Sequence, residues 1–222
     1  MNLQKLMPIC MSVLLISCAN TSDQGKTSGT AIESVSSFDG LTLSNDGSFD
    51  SIYVNPKVDF TLYDKVMLMP GDVSFKRNWA REHRQDVTDR DISTIKNRLS
   101  RLIYESFKAS LAEQTRFQLV SDTGAGVLLL KPSIIKLDVH APDVNTTSRS
   151  RKFVKSAGEA SLYLEVYDSV SGEILARVID HQEDREKGFF EWADRISNTA
   201  DAKRIIKKWT TRFNNLLNKT KP

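Results

Sequence analysis

The chain has few of the residues that carry covalent and metal chemistry: two cysteines and three histidines in 222 residues. Both cysteines, Cys10 and Cys18, fall within the first eighteen positions. If that leader is processed at Cys18, the rest can form neither a disulfide nor a thiolate metal site. His83, His140 and His181 lie outside any Gly-x-Ser-x-Gly or His-Glu-x-x-His pattern, so we expect no catalytic residue, no metal and no cofactor. A membrane span is lacking too. The apolar stretch from Leu6 to Ser17 runs for roughly twelve residues, and a bilayer needs about 20. Charge of one sign is not in excess, with 31 Lys and Arg against 28 Asp and Glu, interspersed. That balance excludes the basic stripe of a nucleic-acid-binding domain.

What is present begins at the N-terminus. Lys5 gives a short positive start, the apolar stretch follows, and Leu15-Ile16-Ser17-Cys18 closes it. This is the layout of an export signal, and the cysteine after Leu-Ile-Ser resembles the lipobox of bacterial lipoproteins. The resemblance implies removal of residues 1–17 and lipidation of Cys18. Each acyl methylene placed in a bilayer contributes about 0.8 kcal/mol, so several chains give stable anchoring. Ala19 and Asn20 follow the cysteine, with no aspartate directly after it. By analogy with Gram-negative sorting, that points to the periplasmic face of the outer membrane.

Residues 18–37 comprise the anchor and a stretch rich in Ser, Thr, Gly, Asn and Gln. Such a composition cannot offset the entropy of ordering, and it predicts a tether reaching roughly 25 Å. Residues 38–222 then form a single domain of ordinary size. Loss of Lys5 takes the cations from 31 to 30 against 28 acids, a formal balance of +2.

Within that domain, Phe38 to Pro56 reads as an extended arm, and Tyr63 to Met69 as a short strand ended by Pro70-Gly71. Gly71 to Val87 reads as a long polar connection. Ile92, Ile95, Leu99, Leu102, Ile103, Phe107 and Leu111 recur at spacings of three and four, which predicts a helix from Asp89 to Glu113. Thr88 and Asp91 have capping-box spacing at its start. Strands are expected at Phe117–Val120 and Val127–His140, with Pro132 marking an edge, bulge or break. A hairpin is expected around Asp168–Gly172, with Glu173–His181 as its second arm. Trp192 is placed on a short helix. Ile205, Ile206, Trp209, Phe213, Leu216 and Leu217 make a second amphipathic helix with Thr199 as N-cap. Together these predict an α+β fold, a mostly antiparallel sheet with two long amphipathic helices packed on one face. The first strand and the strand after the long helix can pair in parallel through a crossover.

The layout resembles a family of bacterial lipoproteins known as domain of unknown function 3313. The matching pieces are Phe38-Asp-Gly-Leu41, Tyr63-Asp-Lys-Val66, Asp168-Ser-Val-Ser-Gly-Glu173 with Asp180, and the closing helix with Trp209. The resemblance implies lipoprotein and fold over nearly the whole mature chain, and no activity.

Three clusters remain as candidate sites. Arg77, Trp79, Arg81 and Arg84 stand in the long connection, and Trp and Arg dominate binding hot spots, so these are candidate partner-binding residues. The alternative is that Trp79 folds back onto the core. Arg149, Arg151, Lys152 and Lys155 are candidate contacts to an anionic surface, or the protective charge of an edge strand. Asp180, His181, Glu183, Asp184 and Glu186 are dense in potential ligands, but with Arg185 and Lys187 they read as solvated, self-neutralising charge. The expected function is that of an outer-membrane-anchored lipoprotein with a non-catalytic binding or accessory domain contacting an envelope protein. A domain binding a small ligand or lipid between sheet and helices is the alternative, and a hydrolase comes third.

Overall fold

The structure is a computed structural model, and it describes residues 37, 39–44, 46–85, 87–139, 153–154, 158–183, 191–192 and 195–219. All of these belong to one compact unit, Ser34–Pro222. Its strands are Thr42–Ser44 (β1), Ser51–Val54 (β2), Lys65–Leu68 (β3), Val73–Phe75 (β4), Gln118–Val120 (β5), Val127–Asp138 (β6), Phe153–Val154 (β7), Glu159–Asp168 (β8), Ile174–Glu183 (β9) and Glu191–Trp192 (β10). Its helices are Trp79–Glu82 (α1), Asp89–Ala112 (α2) and Arg195–Lys219 (α3).

Eight strands make one sheet, in the order β1-β2-β9-β8-β6-β3-β5, with β4 also paired to β6. The pairs from β1 to β6 are antiparallel. β3 runs parallel to both β5 and β6, and β4 runs parallel to β6. The expected crossover is therefore present: Lys65 pairs with Gln118 across the connection that contains α2. β7 and β10 pair separately.

Period-two alternation in β8 has a direct outcome. Leu162, Leu164 and Val166 are buried in the main core, together with Leu130, Ile134 and Val178 of the neighbouring strands. The α2 stripe of Ile95, Leu99, Ile103, Phe107 and Leu111 joins the same core, as do Ile206, Trp209 and Phe213 of α3. The two long helices lie side by side and run in the same direction. Phe107 meets Phe213 at 5.9 Å between ring centroids, Asn214 Nδ2 donates to the Ser110 carbonyl at 2.9 Å, and Arg116 donates to the Leu217 carbonyl at 2.9 Å. At the start of α2, Thr88 and Asp91 form the capping box in both directions.

Pro132 sits inside β6 without breaking it. The Leu130 carbonyl accepts from the Met69 amide and the Ile134 amide donates to the Asp72 carbonyl, both at 2.8 Å. The missing proline N–H falls between these two bonds, where the chain crosses from β3 to β4 and no ladder bond is needed. Gly71 makes that crossing possible, because a Cβ there would lie 1.8 Å from the Pro132 carbonyl oxygen.

Four expectations need correction. Gly71 to Val87 is not a plain loop; it carries β4, which extends the sheet along β6, and α1. Trp192 lies in strand β10, paired with Phe153, and not on a helix. Thr199 is inside α3, which begins at Arg195, so it is not the N-cap. The Phe38–Pro56 arm is no mere packing segment, since β2 completes a ladder with β9.

Candidate partner-binding site

The segment that holds the candidate residues is built from the sheet outward. Phe75 pairs with Leu137 of β6, and the Lys76 amide donates to the Leu137 carbonyl at 2.9 Å. Lys76 Nζ then lies 3.2 Å from an Asp138 carboxylate oxygen and 3.0 Å from one of Glu159. These two carboxylates, Glu159 first, raise the lysine above its ordinary 10.5. Asn78 takes a left-handed conformation, φ 71°, which turns the chain into α1.

Trp79 is 1% exposed. Its indole stacks between Phe75 at 4.1 Å and His83 at 4.5 Å, and its Nε1 donates to the Val139 carbonyl at 3.3 Å. The fold-back alternative for Trp79 is what the structure contains. A tryptophan in this position cannot touch a partner; it fixes the short helix to the end of β6. Arg77, Arg81 and Arg84 are all exposed around it. The element is thus an anchored turn with three outward arginines.

Asp180 is fully buried and is spent on structure. Trp209 Nε1 donates to it at 2.9 Å, Gln182 Nε2 at 2.6 Å, Arg212 at 3.0 Å and the Asp50 amide at 3.3 Å. Such a set of donors satisfies the carboxylate and leaves it little capacity for a metal. Its neighbour His181 points elsewhere, half exposed. Ser161 Oγ lies 3.1 Å from His181 Nδ1, and Glu159 Oε2 lies 3.7 Å from His181 Nε2. Sequence reasoning missed this serine–histidine–glutamate row, because Ser161 and His181 meet only through the β8–β9 register. The 3.7 Å gap is too long for a hydrogen bond that would orient the ring, and Ser161 is 5% exposed. The row is a cross-strand polar contact.

The pieces that carried the family resemblance also meet in space. Asp39 accepts from Ser37 and from the Arg177 guanidinium, the latter at 2.5 Å. Tyr63 donates its hydroxyl to Asp168 Oδ2 at 3.0 Å. Burial and that carboxylate push the Tyr63 phenol up to about 12. Asp168 Oδ1 accepts from the Val170 and Ser171 amides at 3.0 and 2.7 Å, closing the hairpin turn. A family profile matches residues 30–213, across all of these contacts. The chain belongs to the family described as protein of unknown function, DUF3313.

No curated protein sequence matches this DUF3313 chain. Among solved structures, PelC from Paraburkholderia phytofirmans, crystallised as a dodecamer, is 10% identical with a TM-score of 0.35, over 73% of this chain and 94% of that one. The hypothetical protein CT253 from Chlamydia trachomatis is 12% identical with a TM-score of 0.37, over 68% of this chain and 96% of that one. Likenesses at this level carry no function across. Cys18 and the basic cluster Arg149, Arg151, Lys152 and Lys155 lie outside the described residues, as do His140, Asp184 and Glu186.

Proposed function

We propose that this DUF3313 chain is a lipoprotein anchored through Cys18 in the outer membrane, and that its folded unit faces the periplasm as a non-catalytic binding or accessory domain for an envelope protein. The anchor reading is supported by Leu15-Ile16-Ser17-Cys18 and the polar stretch after it. The binding reading is carried by one observation. Trp79 is buried and stacked, and it holds in place a turn from which Arg77, Arg81 and Arg84 project into solvent. Arginines on a pinned element lose less entropy on binding than arginines on a free loop. They suit an acidic surface, where each guanidinium can bond a carboxylate through two donors. The proposal also has both long helices on one face of the sheet, in keeping with the core they share.

In-cell photocrosslinking from Ala80, an exposed position between the arginines, tests the partner. A discrete adduct is expected, and it should disappear when Arg77, Arg81 and Arg84 are changed together to glutamate. An adduct unaffected by the charge reversal, or none at all, overturns the arginine assignment. Membrane fractionation of Cys18→Ala tests the anchor separately. The variant should leave the membrane pellet; if it still sediments there, the lipid reading fails.

A further inference from the structure

The seam between α2 and α3 is closed over their second halves, where Phe107 meets Phe213 and Asn214 bonds Ser110. Toward the other end it is bordered by space on two sides. On the sheet side is a cavity of about 70 Å³, walled by Ile95, Leu99, Ile134, Ile205, Ile206 and Trp209 among others. On the outer side is a groove of about 520 Å³, with Leu102 in it and Arg98, Arg101 and Lys203 around it. Arg98 borders both spaces.

The two spaces differ in how their charges are compensated. At the inner cavity, Asp138 and Glu159 share the Lys76 ammonium, at 3.2 and 3.0 Å, and Asp201 pairs with Arg204 at 2.8 Å. In the outer groove, Arg101 and Lys203 have no carboxylate within ion-pair distance among the described residues, although Glu105 lines the same groove. One side of the seam is therefore largely apolar with its charges paired, and on the other Arg101 and Lys203 stand without an ion-pair partner among the described residues.

We propose that this seam binds an anionic amphiphile with one alkyl chain, its head on Arg101 and Lys203 and its chain entering between α2 and α3 toward Trp209. Guanidinium and ammonium groups together select a carboxylate or phosphate head. The apolar part of the wall accepts methylenes, and the carboxylates at its edge, Asp138, Glu159 and Asp201, already pair with Lys76 and Arg204 and disfavour a second anionic group there. The cavity's size suits the end of one chain, and not a fused ring system. The ligand can come from two sources, a free fatty acid or an anionic lysophospholipid released from a membrane. This proposal does not rest on the lipid anchor or on the arginine turn, because it uses neither Cys18 nor α1.

The test uses the full chain with Cys18→Ala, titrated below micellar concentrations with lauric acid, lysophosphatidylglycerol and lysophosphatidylcholine, and with glycerol phosphate as a head without a chain. The anionic single-chain compounds should bind, and the zwitterionic one should bind at least tenfold more weakly. Glycerol phosphate alone should give no saturable binding. Changing Arg101 and Lys203 together to glutamate, both at exposed positions, should weaken binding at least tenfold with the thermal transition unchanged. A chain-brominated fatty acid should quench indole emission in the parent protein and fail to do so in the charge-reversed one. Preference for lauric acid or for the lysophospholipid identifies the source, and either supports the site. Equal affinity for the charged and zwitterionic lipids, equal affinity in the double variant, or unquenched emission overturns it.

Discussion

Trp209 Nε1 donates a hydrogen bond to Asp180 Oδ2 at 2.9 Å, and both residues are fully buried. The bond fastens α3 to β9, and Arg212 adds an ion pair to the same carboxylate at 3.0 Å. Removing the carboxylate leaves the indole N–H and the guanidinium without their acceptor. Asp180→Ala should therefore cost about 3–5 kcal/mol, the range for breaking a buried pair from one side. Trp209→Phe removes one donor from a carboxylate that keeps three others, and the hydrogen-bond part of its effect should be about 1–3 kcal/mol. Denaturant unfolding of both single variants and the double variant checks this. Additive effects would show that the bond does not couple the two elements.

Trp79 and the arginines around it should separate stability from recognition. Trp79→Ala empties the space between Phe75 and His83 and should cost about 3–5 kcal/mol. Arg77→Ala, Arg81→Ala and Arg84→Ala change exposed side chains and should each stay within about 0.5 kcal/mol of the parent. The midpoint of chemical denaturation is the measurement. A stable Trp79→Ala would mean that the turn is held by something other than its indole.

How much of this was legible in the sequence depends on the range of the interaction. The α2 stripe and the Thr88–Asp91 box are read from neighbours three and four residues apart, and both are present where expected. The β8–β9 hairpin was equally plain from Asp168-Ser-Val-Ser-Gly172 and the alternation after Ala160. β4 was not, because Val73-Ser-Phe75 is too short to show a period and is made a strand only by its partner β6. Trp79 posed the same difficulty in another form. A tryptophan among arginines reads as an exposed anchor until the Val139 carbonyl and the Phe75 ring arrive from elsewhere in the fold. The inter-helix seam was the least legible feature. Arg101 stands on α2 and Lys203 on α3, about a hundred residues apart in the chain, and only the side-by-side packing of the two helices gathers them around a groove.

Gly71 offers a sharp test of the β3–β4 crossing. An alanine Cβ would lie 1.8 Å from the Pro132 carbonyl oxygen and 2.9 Å from its carbon, both backbone atoms that cannot swing aside. The Ser100 hydroxyl also holds the Gly71 carbonyl at 2.6 Å, so the glycine has little freedom to retreat. Gly71→Ala should lower stability by more than the about 1 kcal/mol that separates glycine from alanine in ordinary contexts. Gly47→Ala is the control. It has a positive φ of 71° but no atom within 4 Å of the added carbon, so its cost is backbone strain alone. Thermal melts of the two variants should rank Gly71→Ala well below Gly47→Ala, and the reverse order would contradict the close approach.

The Asp39–Arg177 clasp should release in acid. The Ser37 hydroxyl, with the Arg177 guanidinium adding to it, holds the Asp39 carboxyl below its ordinary 3.8 against the opposing effect of burial. A carboxyl depressed in the folded state adds stability that is fully present above its unfolded value. That stability is lost as pH falls through the folded one. The contact should thus be intact at neutral pH and weaken only below about pH 4. Glu165 lies 3.3 Å from the same guanidinium, so Arg177 keeps one acceptor when Asp39 is protonated. The expected change is therefore local: residues 37–41 detach before β9 unfolds. Hydrogen exchange measured by mass spectrometry at pH 3 and pH 7 should show loss of protection in the peptide covering residues 37–44, after correction for intrinsic rates. Asp39→Asn should show that low protection at both pH values. Equal corrected protection of the parent at pH 3 and pH 7 would mean that the clasp does not hold the chain where the domain begins.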